Sequence, residues 1–165
     1  HMTYFTTFAS PIGDLTLAGS GGAVTGLYFS TGPKAQTAHP TWQRDESKLA
    51  EVVAQLRAYF AGRLQSFDLP LRPQATPFQS RVLTALRTIP YGELRSYKDI
   101  AEAVGEPNGA RAVGTANGNN PIAIIIPCHR VVGSNGALTG FGGGLAVKRF
   151  LLDLESRNAG FRLSN

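Results

Sequence analysis

The chain carries one cysteine, and a histidine and an arginine follow it directly in Pro127-Cys128-His129-Arg130-Val131. A free thiol titrates near ~8.5 and is only a few per cent ionised at neutral pH, so a nucleophilic cysteine needs a base or a positive field beside it. His129 and Arg130 are the local candidates. Adjacency alone does not make a catalytic pair. Neighbouring side chains on an extended segment point to opposite faces, and a lone cysteine is commonly a small buried hydrophobe. With one cysteine and three histidines in 165 residues, neither an internal disulfide nor a zinc set is expected. The thiol is therefore free, and its surroundings must decide its use.

Several elements are placed to position it. The apolar run Ile122 to Ile126, ended by Pro127, predicts a buried strand with Cys128 at its end. Gly133 to Gly144 predicts a glycine-rich loop able to wall a pocket. A helix follows from Leu145 to about Arg157, with Val147, Phe150, Leu151 and Leu154 on its apolar side and Glu155 at the margin, a candidate for a partly buried carboxylate. Ahead of the run lie three short helices. Thr76-Pro77-Phe78-Gln79 opens the first, and Ser96 with Asp99 forms a capping box for the second. Asn108 is the expected cap of the third, Gly109 to about Asn117. On a helical projection Ala112, Val113 and Ala116 face inward, while Arg111, Gly114, Thr115 and Gly118 face out. The second and third helices form a helix-turn-helix candidate. A major-groove reader carries several long polar side chains, whereas this helix offers one arginine on a bare surface. That suits close approach to a nucleic-acid backbone with little sequence reading; close helix packing is the competing explanation.

The first half reads differently. Thr3 to Ser10, Leu15 to Gly19 and Ala23 to Ser30 predict an antiparallel meander. Thr31 to Arg44 predicts a loop, Leu49 to Phe60 a covering amphipathic helix, and Phe67 to Leu71 a further strand. Arg72 to Ala75 looks like the passage between two domains, 1–72 and 73–165. A net charge of +5 and a pI near 9.7 fit an anionic partner without requiring one. No stretch approaches the ~18 apolar residues of a membrane span, and no signal pattern opens the chain, so a cytoplasmic location is expected.

Six motifs appear together: PYGE at Pro90 to Glu93, SY at Ser96-Tyr97, RAVG at Arg111 to Gly114, NP at Asn120-Pro121, PCHRV at Pro127 to Val131 and GGLAVK at Gly143 to Lys148. In this order they resemble the O6-alkylguanine-DNA alkyltransferases. The resemblance implies an α+β fold: a small ribonuclease H-like antiparallel sheet with a covering helix, then a mainly helical part holding a winged helix-turn-helix and the active cysteine. It implies that Cys128 takes the alkyl group from O6 of guanine in a single irreversible turnover. His129 would draw the thiol proton through a water, and Glu155 would orient His129. Tyr97 would stand near the extruded nucleotide, and Asn120 would brace the turn behind the cysteine. Arg111 would fill the stack left by the flipped base, with Tyr97, Ala110, Gly114, Thr115 and Gly118 along the DNA contact. Phe141, Gly142, Val131 and Lys148 would form the substrate pocket; many members carry tyrosine where Phe141 stands. The implied partner is double-stranded DNA bearing O6-alkylguanine, met through the minor groove by a monomer able to cluster on DNA, with no cofactor and no metal. A recognition module without chemistry and a thiol hydrolase are the competing classes. The first has no use for the acceptor cysteine, and the second leaves Arg111 and the helix-turn-helix unexplained.

Overall fold

A computed structural model describes residues 2–163, so the outermost residues of the two expected domains lie outside it. The meander is present as β1 (Tyr4–Ser10), β2 (Gly13–Ser20) and β3 (Ala23–Phe29), antiparallel throughout. Its inward residues, among them Phe8, Leu15, Leu17, Val24, Leu27 and Phe29, are buried. The expected loop 31–44 ends in structure. Gln43–Arg44 forms β4, parallel to β1, giving the order β3-β2-β1-β4. Trp42 fixes that approach by packing against Phe5 and Tyr28. A short 3-10 turn, Glu46–Leu49, capped by the Asp45 carboxylate, leads into α1 (Ala50–Phe60), which buries Val52, Leu56 and Tyr59. Phe67 to Leu71 is not a strand beyond one bridge between Leu71 and Val24. Pro70 has no N–H to extend the ladder.

The second half holds α2 (Pro77–Leu86), α3 (Tyr97–Ala103) and α4 (Ala110–Gly118). Thr76 caps α2 by accepting from the Gln79 N–H, and the Ser96/Asp99 box caps α3. Two expectations for α4 fail. Gly109, not Asn108, occupies the cap position, without a side-chain bond, because the preceding turn closes from the Gly109 N–H to the Glu106 carbonyl. Ala112 is exposed rather than inward. The helix packs on both α2 and α3, which rotates its buried face onto Val113, Ala116 and Asn117. β5 (Arg95–Ser96) and β6 (Val131–Val132) pair in parallel, and α5 (Leu145–Leu163) closes the described chain.

The largest correction concerns Ile122 to Ile126, which is a buried turn and not a strand. Ile122 bridges Leu27 of β3, and the chain then folds back so that the Ile126 N–H donates to the Ile122 carbonyl. Ile124 takes a φ of 70°, rare for a β-branched residue. Asn120 holds this conformation. Its Oδ1 accepts from the Ile122 N–H at 3.0 Å and its Nδ2 donates to the Ile126 carbonyl at 2.9 Å, closing the turn from inside.

Candidate active site

Pro127 delivers the chain from that turn into a single 3-10 turn, Cys128–Arg130. The geometry removes the objection drawn from an extended segment. Cys128, His129 and Arg130 are all buried, and the last two converge on one carboxylate. Glu155, on α5, is only 1 % exposed. Its Oε2 accepts from Tyr59 Oη at 2.6 Å, His129 Nε2 at 2.6 Å and Arg130 Nη2 at 3.1 Å. Its Oε1 accepts from Arg130 Nε at 2.7 Å and the Gly92 N–H at 3.3 Å. Arg130 Nη1 donates to the Ile89 carbonyl at 2.7 Å.

This network fixes the protonation of the site. Burial alone would raise the Glu155 pKa, but the hydrogen bonds from His129 and Arg130 and the Arg130 charge outweigh it and hold the carboxyl well below its usual range. Burial, helped by the charges of Arg130 and Lys148, lowers the His129 pKa against the pull of Glu155. The pair is therefore an ionised carboxylate and a neutral imidazole, with Arg130 as the permanent counter-charge. A carboxylate only accepts, so Nε2 carries the imidazole proton and Nδ1 keeps its lone pair. Nδ1 is buried and bonded to no protein atom among the described residues, which leaves it available as a base. Burial pushes the Cys128 thiol up, while an Asn120 hydrogen bond and the Lys148 charge pull it partly back. The cysteine rests as a thiol, so an attack by its sulfur would require a base.

A consequence for folding follows. His129 is harder to protonate folded than unfolded, so the unfolded chain takes up more protons below about pH 6.5, the ordinary histidine pKa, and stability falls there. Glu155 is depressed, so its contribution is lost as pH falls below about 4.5. Thermal midpoints are expected to be level near neutrality and to decline from about pH 6.5 downward. A midpoint still level at about pH 5 would contradict the neutral-histidine assignment.

Cys128 opens onto a cavity of about 280 Å³ lined in part by Asn117, Asn120 and Phe141 and, from the first half, by Phe29 and Lys34. That is small for a ligand pocket and suits one heterocycle rather than a polymer. Gly118 and Gly142 line it as well. Lys148 and Val131 lie among its supports: Lys148 Nζ, fully buried, donates to the Val131 carbonyl at 2.6 Å. Arg111, Thr115 and Gly118 are exposed on α4, and Ala110 and Gly114 are half-buried. Tyr97 is not part of the cavity lining. It begins α3, shares a 2.6 Å hydrogen bond with Thr139 Oγ1, and lies over Gly114, where an added Cβ would stand 3.9 Å from its ring.

Sequence reasoning missed three residues. Tyr59 reads as core by its helical spacing, and only its phenol in a buried position signals a polar duty. Arg130 was considered for its field, not as a ligand of Glu155. Asn117 donates to the Cys128 carbonyl at 3.3 Å from the buried side of α4, which the projection left without a role.

Known proteins resemble this chain along most of its length. Residues 77–157 match a family model described as 6-O-methylguanine DNA methyltransferase, DNA binding domain, and residues 3–73 match its ribonuclease-like domain. The methylated-DNA–protein-cysteine methyltransferase of Mycobacterium tuberculosis is 53% identical over 161 residues, covering 96% of this chain and 95% of that protein. The constitutive enzyme of Bacillus subtilis is 46% identical, covering 93% and 96%. The crystal structure of Mycobacterium tuberculosis OGT in complex with DNA superposes with a TM-score of 0.88 at 53% identity, covering 94% of each chain.

Proposed function

The chain belongs to the O6-methylguanine DNA methyltransferase family, and on that premise we propose a role for each residue of the site. The protein reverses O6-alkylguanine lesions in DNA by moving the alkyl group to its own cysteine. Cys128 is the acceptor. As its sulfur forms the S–C bond and the C–O6 bond breaks, the thiol proton passes through a bridging water to His129 Nδ1, and guanine departs as its anion to be reprotonated. Glu155 holds His129 in the required tautomer, Arg130 keeps Glu155 ionised, and Asn120 fixes the turn that presents the sulfur. The observation that carries this reading is the buried thiol followed by a neutral histidine whose one nitrogen is fixed by a carboxylate and whose other has no partner among the described residues. A thioether has no ready leaving path, so each molecule acts once. Incubation with duplex DNA containing O6-methylguanine is expected to add one methyl per molecule by intact mass; several product bases released per molecule would point to a hydrolase instead.

A base within a duplex cannot bring O6 to a buried thiol, so the nucleotide is extruded at a cost of a few kcal/mol. Arg111, exposed on α4 beside small residues, fills the vacated stack from the minor-groove side, with Tyr97, Ala110, Gly114, Thr115 and Gly118 along the contact. Arg111→Ala is expected to slow transfer from duplex DNA by roughly 10–100-fold and transfer from single-stranded DNA far less, since no stack needs filling there. Equal losses on the two substrates would sink this role.

The matched segments are taken as two domains meeting near residue 73, working as a monomer that can cluster on DNA. No helix among the described residues is long and apolar enough to cross a membrane. A reduced acceptor thiol and a DNA substrate support a cytoplasmic location in this reading.

A further inference from the structure

The cavity over Cys128 is closed on one side by a strap that precedes the DNA-binding segment altogether. After β3 the chain runs along the glycine-rich loop, where the Lys34 N–H donates to the Gly142 carbonyl at 2.9 Å. The approach is close enough to demand glycine on both sides. Gly32, at φ +92°, would carry a Cβ 2.5 Å from the Gly143 carbonyl carbon, and a Cβ on Gly142 would meet Lys34 Cβ at 3.0 Å. Phe29 packs edge-on to Phe141 at 5.4 Å behind the strap. The backbone thus fixes where the Lys34 side chain begins.

That side chain is exposed, and its Nζ donates to Asn119 Oδ1 at 3.1 Å. Lys34 is the one charged residue among those lining the cavity, and no carboxylate of the described residues lies within 4.0 Å of it. A cation at the mouth of a neutral cavity, bonded to a neutral amide, is poised for an anion. With the base against Cys128, the sugar and phosphates of an extruded nucleotide remain at that mouth. We propose that Lys34 is a specificity-determining contact from the amino-terminal half, exchanging the Asn119 side-chain Oδ1 for a phosphate of the extruded nucleotide. The inference rests on the base-extruding alkyltransferase reading and adds a second binding segment to it. The exchange replaces a neutral hydrogen bond by a charge-assisted one.

The test compares single-turnover methyl transfer from lesion-bearing duplex DNA with transfer from O6-methyl-2′-deoxyguanosine, which has the base and sugar but no phosphate. Lys34→Gln removes the charge and keeps the backbone bond that seats the strap. The duplex-to-nucleoside rate ratio is expected to fall about five- to tenfold, and the slope of log affinity for duplex against log salt to shrink by about 0.9. Lys34→Arg is expected to retain both. An unchanged salt slope, or equal loss on the two substrates, would overturn the proposal by reducing Lys34 to a support of the wall. No transfer by the parent protein from either substrate would remove the alkyltransferase reading itself, and this inference with it.

Discussion

With Cys128 replaced by alanine, incubation with O6-methylguanine duplex leaves the protein's mass unchanged, whereas the parent gains one methyl group on that residue. The effect is complete because no other cysteine exists to take the group. The variant should still fold. Alanine is close in volume to cysteine, and truncating one buried atom here costs about 1 kcal/mol. Binding to the lesion is therefore retained while chemistry disappears, and a mass gain in the variant would place the acceptor elsewhere. The same reaction alters the parent. Cys128 is 4% exposed at the inner wall of its cavity, with Asn120, the isoleucine turn and α4 packed behind it, so a methyl on its sulfur is expected to crowd those neighbours at a cost of about 1–3 kcal/mol. Each kcal/mol lowers the melting temperature of a domain of this size by roughly 2–4 °C. An unchanged melting temperature after stoichiometric methylation would show that the site absorbs the group without strain.

Cys128 and His129 stand out in the sequence as candidates because a short motif carries them, Glu155 because it lies at the margin of an apolar helical stripe, and the helices of the second half because capping boxes and apolar spacing are local signals. The turn at Ile122 to Ile126 was not. A run of isoleucines interrupted only by Ala123 has the local preference of a strand, and what overrides it is the Asn120 carboxamide reaching six residues ahead to the Ile126 carbonyl. β4 escaped for the converse reason. Gln43 and Arg44 carry no strand pattern, and their pairing is imposed by Trp42 docking on Phe5 and Tyr28, which are distant in sequence. The inward face of α4 depended on which helices it would meet. Tyr59 and Glu155 are 96 residues apart, so no local pattern could join the covering helix of the first half to the buried carboxylate. That bond links the two halves at the site itself.

Glu155→Gln is expected to cost more than any other single change outside the acceptor, in both stability and rate. The carboxylate accepts from five donors: Tyr59 Oη, His129 Nε2, two Arg130 nitrogens and the Gly92 N–H. Glutamine keeps one accepting oxygen and turns an NH₂ toward groups that are themselves donors. Arg130, 7 % exposed, is left as a buried cation without its counter-charge, a loss of about 3–5 kcal/mol and visible in the urea midpoint. Transfer should fall by about 10²-fold even at temperatures where the variant is folded, because the imidazole tautomer is no longer dictated. A second variant separates the two effects. Glu155→Leu with Arg130→Met removes both charges together, and since a buried ion pair replaced by apolar residues is often tolerated, much of the stability should return while the rate does not. If the double variant recovered its transfer rate along with its fold, the network would be scaffolding alone, and the neutral His129 would need no partner to act as the base.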